Sequence, residues 1–164
     1  MTDDDTTADD PPRETVSVPE QVDLPRLLDF YELQDPAHTR IHEFYDNLRE
    51  GNLTTTRCTE CEDLHFPPRV VCPACLSVDL TYTSLPHRGQ LHCFTEVRGT
   101  AAIGMNDDVP FVAGVVDLGD VRLSARIDDA GYDDLSIGDP VRLKIVDIEG
   151  SREQERSFYR FEPV

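Results

Sequence analysis

Lysine is almost missing from this chain of 164 residues. Lys144 is the single one, and every other basic side chain is arginine. Tryptophan is absent and methionine occurs twice. No window approaches the roughly 18 consecutive apolar residues of a membrane-spanning helix, so no partnership with a membrane is expected. The start, Met1-Thr2-Asp3-Asp4-Asp5, has neither the basic residues nor the apolar stretch of a secretory signal, and a cytoplasmic protein is expected. A glycine-rich phosphate loop is also missing. His87, His92, Cys93 and the nearby acids do not assemble a nucleophile and its base, which argues against an independent enzyme.

Charge of one sign dominates. There are 33 acidic residues against 15 basic ones, for a net charge of -18, and Asp outnumbers Glu. The acid is not confined to one tail, because Asp107-Asp108, Asp128-Asp129 and Asp133-Asp134 recur late in the chain. Such a surface stays hydrated where salt screens its self-repulsion, so a host with a high-salt cytoplasm, a halophile, is expected.

Against this background stand four cysteines in two tight pairs, Cys58-x-x-Cys61 and Cys72-x-x-Cys75. Each pair can turn as a knuckle that aims two thiolates at one point, and two knuckles surround a tetrahedral Zn²⁺. The pattern is that of a zinc ribbon with one zinc per chain. Four sulfurs close the coordination sphere and leave no position for water, so the metal is expected to be structural. Two disulfides are the competing reading, and they fit poorly with a chain that lacks a secretory signal. A redox C-x-x-C is the other, but Pro73 within one pair and Pro67-Pro68 between the pairs suit knuckles and extended chain. His65 lies close enough in sequence to replace a sulfur, which the complete set of four thiols makes unnecessary. Cys93, alone in an expected strand, reads as a small buried hydrophobe.

The rest of the chain divides around this module. Residues 1–20, rich in Asp, Thr and Pro, are expected to form a disordered acidic tail. Residues 21–51 form a helical segment. Within it, 22–31 is a short helix or docking piece. A clearer helix follows, with Asp35 as N-cap, Pro36 in the first position, an apolar stripe of Ile41, Phe44, Tyr45 and Leu48, and Gly51 as the stop. Phe44 and Tyr45 serve either as a docking face or in packing against the chain's own core. His38 and His42, four apart, read as solvated positions for want of a third metal ligand. The ribbon spans 52–84.

From 85 to 164 the pattern is β. Strands are expected at 90–97, with Leu91, Cys93, Thr95 and Val97 on one side, at 110–118, where Gly114 marks a bulge or bend, and at 121–127, with Val121, Leu123, Ala125 and Ile127 inward. Two more follow at 140–148, through Val141, Leu143 and Ile145, and at 157–162. Five strands with one tight hairpin suggest a small closed barrel, for which an OB-fold is the natural candidate, with another small barrel or a sandwich as alternatives. The fold class is therefore mostly β, with an N-terminal helix, a four-cysteine ribbon and a five-stranded barrel.

The order of these features resembles one family. The stretches that carry the likeness are Phe44-Tyr45-Asp46-Asn47-Leu48-Arg49-Glu50-Gly51-Asn52-Leu53 running into Arg57-Cys58-Thr59-Glu60-Cys61, then Phe66-Pro67-Pro68-Arg69 and Cys72-Pro73-Ala74-Cys75. In the barrel, 89–95, 110–118 and Ile137-Gly138-Asp139-Pro140-Val141 match its first two strands and the turn before its fourth. The family has an N-terminal helix, a rubredoxin-like zinc ribbon and a C-terminal OB-fold, and it accompanies thiolases and other acyl-CoA enzymes. The likeness covers residues 36–163. It departs at Asp63, where a glycine-like turn is expected, and in the acidic extension.

The resemblance implies a non-catalytic accessory subunit that binds a thiolase or thiolase-like acyl-CoA enzyme. In some relatives it bridges acetoacetyl-CoA thiolase and hydroxymethylglutaryl-CoA synthase. It further implies that the ribbon and helix dock on the partner, with the barrel beside the CoA or acyl-CoA path. Arg122 and Arg126, outward on a barrel strand, are the candidates to meet CoA phosphates. The alternative is a nucleic-acid-binding protein, since ribbons and OB-folds both occur in such proteins. The few, dispersed arginines do not form the basic groove that reading needs.

Overall fold

The computed structural model describes residues 11–17, 34–99, 109–149 and 156–164. Among them run β1 (Arg13–Ser17), α1 (His42–Arg49), β2 (Thr54–Cys58), β3 (Leu64–His65), β4 (Leu80–Ser84), β5 (Arg88–Val97), β6 (Phe111–Asp117), β7 (Arg122–Ile127), β8 (Pro140–Glu149) and β9 (Arg156–Pro163). The short helix or docking piece expected at 22–31 lies outside the described residues.

Alternating apolar side chains decide the barrel. Val112 and Val116 on β6, Leu123 and Ile127 on β7, and Val141, Leu143 and Ile145 on β8 all point inward and are buried, as period-two chain with one wet face requires. β5 pairs with β6, β6 with β7, β7 with β9, β9 with β8, and β8 returns to β5, so the sheet closes on itself. The one parallel contact within the ring joins β7 to β9 at Ile127 and Phe161. This is the strand order of an OB-fold, and closure removes the open edges of the five strands.

β5 departs from the expected pattern. Its register against β6 slips between Leu91 and Cys93, making His92 an extra residue. A bulge of this kind exchanges the two faces downstream. Leu91 is buried, but Cys93 and Thr95 are exposed, and Phe94 takes the inward side with half-burial. The expectation that Cys93 is a buried hydrophobe is therefore corrected. Gly114, on the facing strand, does not itself bulge. It stands opposite Phe94, and an added Cβ would lie 2.9 Å from Leu91 Cδ1 and 3.1 Å from the Cys93 carbonyl oxygen. The glycine makes room for the irregular strand beside it.

Within the expected acidic tail, Arg13–Ser17 is a strand, laid parallel to β8 from Ile145 to Glu149. β5 covers β8 only from Pro140 to Arg142, so β1 occupies edge that would otherwise present unpaired backbone. Side chains hold it there. Arg13 reaches Asp147 at 2.8 Å and donates to the Arg49 carbonyl at the end of α1 at 2.6 Å. Glu14 meets the Lys144 ammonium at 2.7 Å. Composition favoured disorder here, and specific pairing with one long strand outweighs it.

The helix begins later than expected. Asp35 caps an isolated turn, accepting from the Ala37 amide at 2.8 Å, while α1 proper starts at His42. Its end is as expected. Gly51 has φ +93, the Asn52 amide donates to the Asn47 carbonyl at 2.9 Å and the Gly51 amide to that of Leu48 at 3.0 Å. This paired closure needs a left-handed residue, which glycine adopts without cost to a Cβ.

Phe44, Tyr45 and Leu48 turn into the molecule and are buried. Phe44 packs edge-on against Phe66 of the ribbon, centroids 6.2 Å apart, and against Tyr159 of the barrel at 6.3 Å. The helix is thus a wedge between two modules, and its aromatic face is not open for docking. Gln34 helps fix it: the buried amide donates to the Ser157 carbonyl and accepts from the Ser157 N–H, both at 2.9 Å.

Candidate metal centre and its surroundings

The ribbon is a three-stranded sheet with β2 between β3 and β4. A module this small cannot build a large apolar core, and its central strand carries three buried threonines, Thr54, Thr55 and Thr56. Their hydroxyls take part in its bonding. Thr55 Oγ1 donates to the His65 carbonyl, and Thr56 Oγ1 accepts from the Arg69 amide at 2.8 Å.

The two knuckles share one backbone pattern. The Glu62 amide donates to the Cys58 carbonyl at 3.0 Å and the Cys58 amide to that of Asp63 at 2.9 Å. In the second knuckle, the Leu76 amide donates to the Cys72 carbonyl at 2.9 Å and the Cys72 amide to that of Ser77 at 2.8 Å. Each turn closes on a left-handed residue, Glu62 with φ 62 and Leu76 with φ 64. The glycine-like position therefore sits directly after the second cysteine of each pair, and not at Asp63.

This folding brings all four expected ligands together. The Sγ atoms of Cys58, Cys61, Cys72 and Cys75 lie within 4.8 Å of one another, and they are the one such cluster among the described residues. Cys58 and Cys75 are 3.5 Å apart, as are Cys61 and Cys72. A zinc ion bonded at about 2.3 Å to four sulfurs in a tetrahedron sets them about 3.8 Å apart, so the donor set fits Zn²⁺. The separations are too long for disulfide bonds of about 2.05 Å. Cys58 and Cys72 are buried, while Cys61 and Cys75 face out.

Electrostatics favour a metal. The Cys61 backbone N–H, with that of Glu60, draws the Cys58 thiol down to about 7. At Cys61 the Asp63 N–H acts in the same sense, but desolvation and the three neighbouring sulfurs prevail and push the thiol up to about 12. At Cys75 the Ser77 N–H lowers and the Cys58 sulfur raises, and the net shift is upward. Four thiolates cannot share this space by themselves, whereas a divalent cation removes the repulsion and lets all four ionise.

The two expected phosphate contacts are set along β7. Arg122 bonds Asp117 through Nε at 2.7 Å and is largely exposed. Arg126 meets Asp128 at 3.0 Å and stacks its guanidinium 4.9 Å over the Phe111 ring. Each lies on the outer face, and each is matched with a carboxylate. His38 is exposed and paired with Asp35 at 2.8 Å, while His42 is half-buried and not the solvated position expected of it.

Sequence reasoning missed four exposed apolar side chains on the ribbon. Val70 and Val71 precede Cys72, Leu76 closes the second knuckle, and Val78 follows. All four are exposed, Leu76 by 75% and Val78 by 71%. No sequence signal marks them, because valine and leucine beside a knuckle read equally well as packing residues.

Fold and centre together define a class, a four-cysteine zinc ribbon joined to an OB-fold barrel. Family models agree: residues 46–81 match the ChsH2 rubredoxin-like zinc ribbon domain and residues 82–146 the ChsH2 C-terminal OB-fold domain. A DUF35 domain-containing scaffold protein of Methanothermobacter thermautotrophicus is 30% identical over 94 residues, which span 56% of this chain and 70% of that protein. The chain belongs to this DUF35 family of ChsH2-type proteins. Among solved structures, the Ltp2-ChsH2(DUF35) aldolase superposes with a TM-score of 0.63 at 25% identity, covering 79% of this chain and 98% of the other. A DUF35 protein of unknown function from Sulfolobus solfataricus shares the fold, with a TM-score of 0.50 at 16% identity over 82% and 90% of the two chains.

Proposed function

We propose that the chain is a non-catalytic accessory subunit that docks on a thiolase-type acyl-CoA enzyme and holds it in a complex, with hydroxymethylglutaryl-CoA synthase as a second enzyme it bridges. Likeness to a protein described as a scaffold, and to one solved together with Ltp2 as an aldolase, supports a role beside another enzyme. The observation that carries the reading is the exposed Val70, Val71, Leu76 and Val78 surface. In so acidic a chain, four bare apolar side chains within nine residues of one module point to a contact site. Zinc holds the knuckle that presents it. Arg122, the more exposed of the two outward arginines, exchanges its bond with Asp117 for a CoA phosphate, and Arg126 assists from the same strand.

The test is affinity capture from the source organism at its own salt concentration, with the natural chain and with a Leu76→Glu/Val78→Glu variant that retains zinc. The natural chain should recover a thiolase-type enzyme in stoichiometric amount, and the variant should lose it. Recovery without any acyl-CoA enzyme, or a complex indifferent to both substitutions, contradicts the proposal.

A further inference from the structure

His65 is not one of the four sulfur donors, yet it is aimed at one of them. Its Nε2 lies 3.3 Å from Cys72 Sγ. Its backbone is held on the sheet. His65 pairs with Thr56 across β2 and β3, and its carbonyl accepts the buried Thr55 hydroxyl. His65 is half-buried.

A zinc ion with four thiolates carries two net negative charges, here in a chain whose own charge is -18. Backbone N–H groups offset part of that charge, among them Cys61 and Glu60 toward Cys58, Asp63 toward Cys61 and Ser77 toward Cys75. We infer that His65 is the positioning residue of the metal centre: its Nε2–H donates to the Cys72 thiolate and keeps that sulfur on the ion. A hydrogen bond of this type draws electron density from the sulfur. It makes the thiolate a poorer target for protons and alkylating agents and slows its departure from the metal. The second knuckle, which bears the exposed apolar side chains, is then the one His65 secures.

The inference rests on the zinc reading and is tested separately from it. Zinc-loaded natural chain, His65→Leu and His65→Gln are mixed with a chromogenic chelator, and release is followed with time. In parallel, limited iodoacetamide labelling is mapped by mass spectrometry, and each chain is loaded with Co²⁺ for its absorption spectrum. His65→Leu should release zinc about tenfold faster, and its labelling should shift toward Cys72 from the exposed Cys61 and Cys75. His65→Gln, which keeps an N–H donor, should recover most of the natural rate. Equal rates for Leu and natural chain, or a Gln variant as fast as the Leu variant, overturn the inference. So does a cobalt spectrum of three thiolates and one imidazole, which would make His65 a ligand. A natural chain that binds no metal at all fails the zinc reading instead.

Discussion

Phe66 and Tyr159 meet edge to face, with ring centroids 5.6 Å apart and planes at 82°. One ring stands on the ribbon just after β3 and the other in the last strand of the barrel, 93 residues later. Phe44 completes the cluster from the helix. This contact ties the order of the metal module to that of the barrel, and the two should unfold as coupled units. In a double-mutant cycle of Phe66→Leu and Tyr159→Leu, followed by denaturant melts, a coupling of about 1 kcal/mol is expected. Strict additivity would mean that the modules are independent.

The left-handed residues after each C-x-x-C pair make a second prediction. A side chain in that region costs about 1–2 kcal/mol, and glycine returns roughly half of the gain as chain entropy. Glu62→Gly and Leu76→Gly should each stabilise the zinc-loaded ribbon by about 0.5–1 kcal/mol, read from thermal melts. Leu76→Gly should at the same time weaken capture of the partner, because it removes the most exposed of the four apolar side chains. Stability gained with docking unchanged would separate the surface from the function.

Lys144 carries the third. Its ammonium, about one-tenth exposed, faces Glu14 at 2.7 Å, Asp129 at 3.0 Å, Asp128 at 3.6 Å and Glu162 at 3.8 Å. Burial lowers its pKa, but Glu14, Asp129 and Asp128 outweigh that and hold it above the ordinary lysine value. Arg126 and Arg160 also serve Asp128, and Arg142 serves Glu162, so Lys144→Met should cost about 3 kcal/mol, the low end for a broken buried pair. The pH dependence follows from Asp129, whose carboxyl Lys144 holds below its ordinary 3.8. A depressed carboxyl contributes stability above its unfolded value, and loses it as pH falls through the lower folded one. The acid-side decline in stability below about pH 4 should therefore be shallower in the Met variant. Parallel pH profiles would show that the lysine does not govern that titration.

Much of this was legible in sequence because the signals were local. Two C-x-x-C pairs need only their spacing to suggest the metal, and the alternation from Val121 to Ile127 and through Val141, Leu143 and Ile145 needs only its period. The misreadings arose where a distant partner decides. Nothing in Leu91-His92-Cys93 announces a bulge, yet one extra residue placed Cys93 outside and Phe94 inside. Arg13–Ser17 looks like solvated tail until β8 supplies an edge for it. The Phe44 and Tyr45 stripe was visible, but whether it met a partner or Phe66 and Tyr159 depended on the packing of three elements. Leu76 and Val78 draw no reading from sequence, and their exposure is visible only once the second knuckle is folded.

Native mass spectrometry of the freshly purified chain, compared with its denatured mass, shows whether the four thiols hold an ion. One zinc per chain with all four cluster thiols reduced is predicted, and Cys58→Ser or Cys72→Ser should lose the ion and unfold the ribbon. A metal-free chain whose cluster cysteines are oxidised to one another would contradict the account.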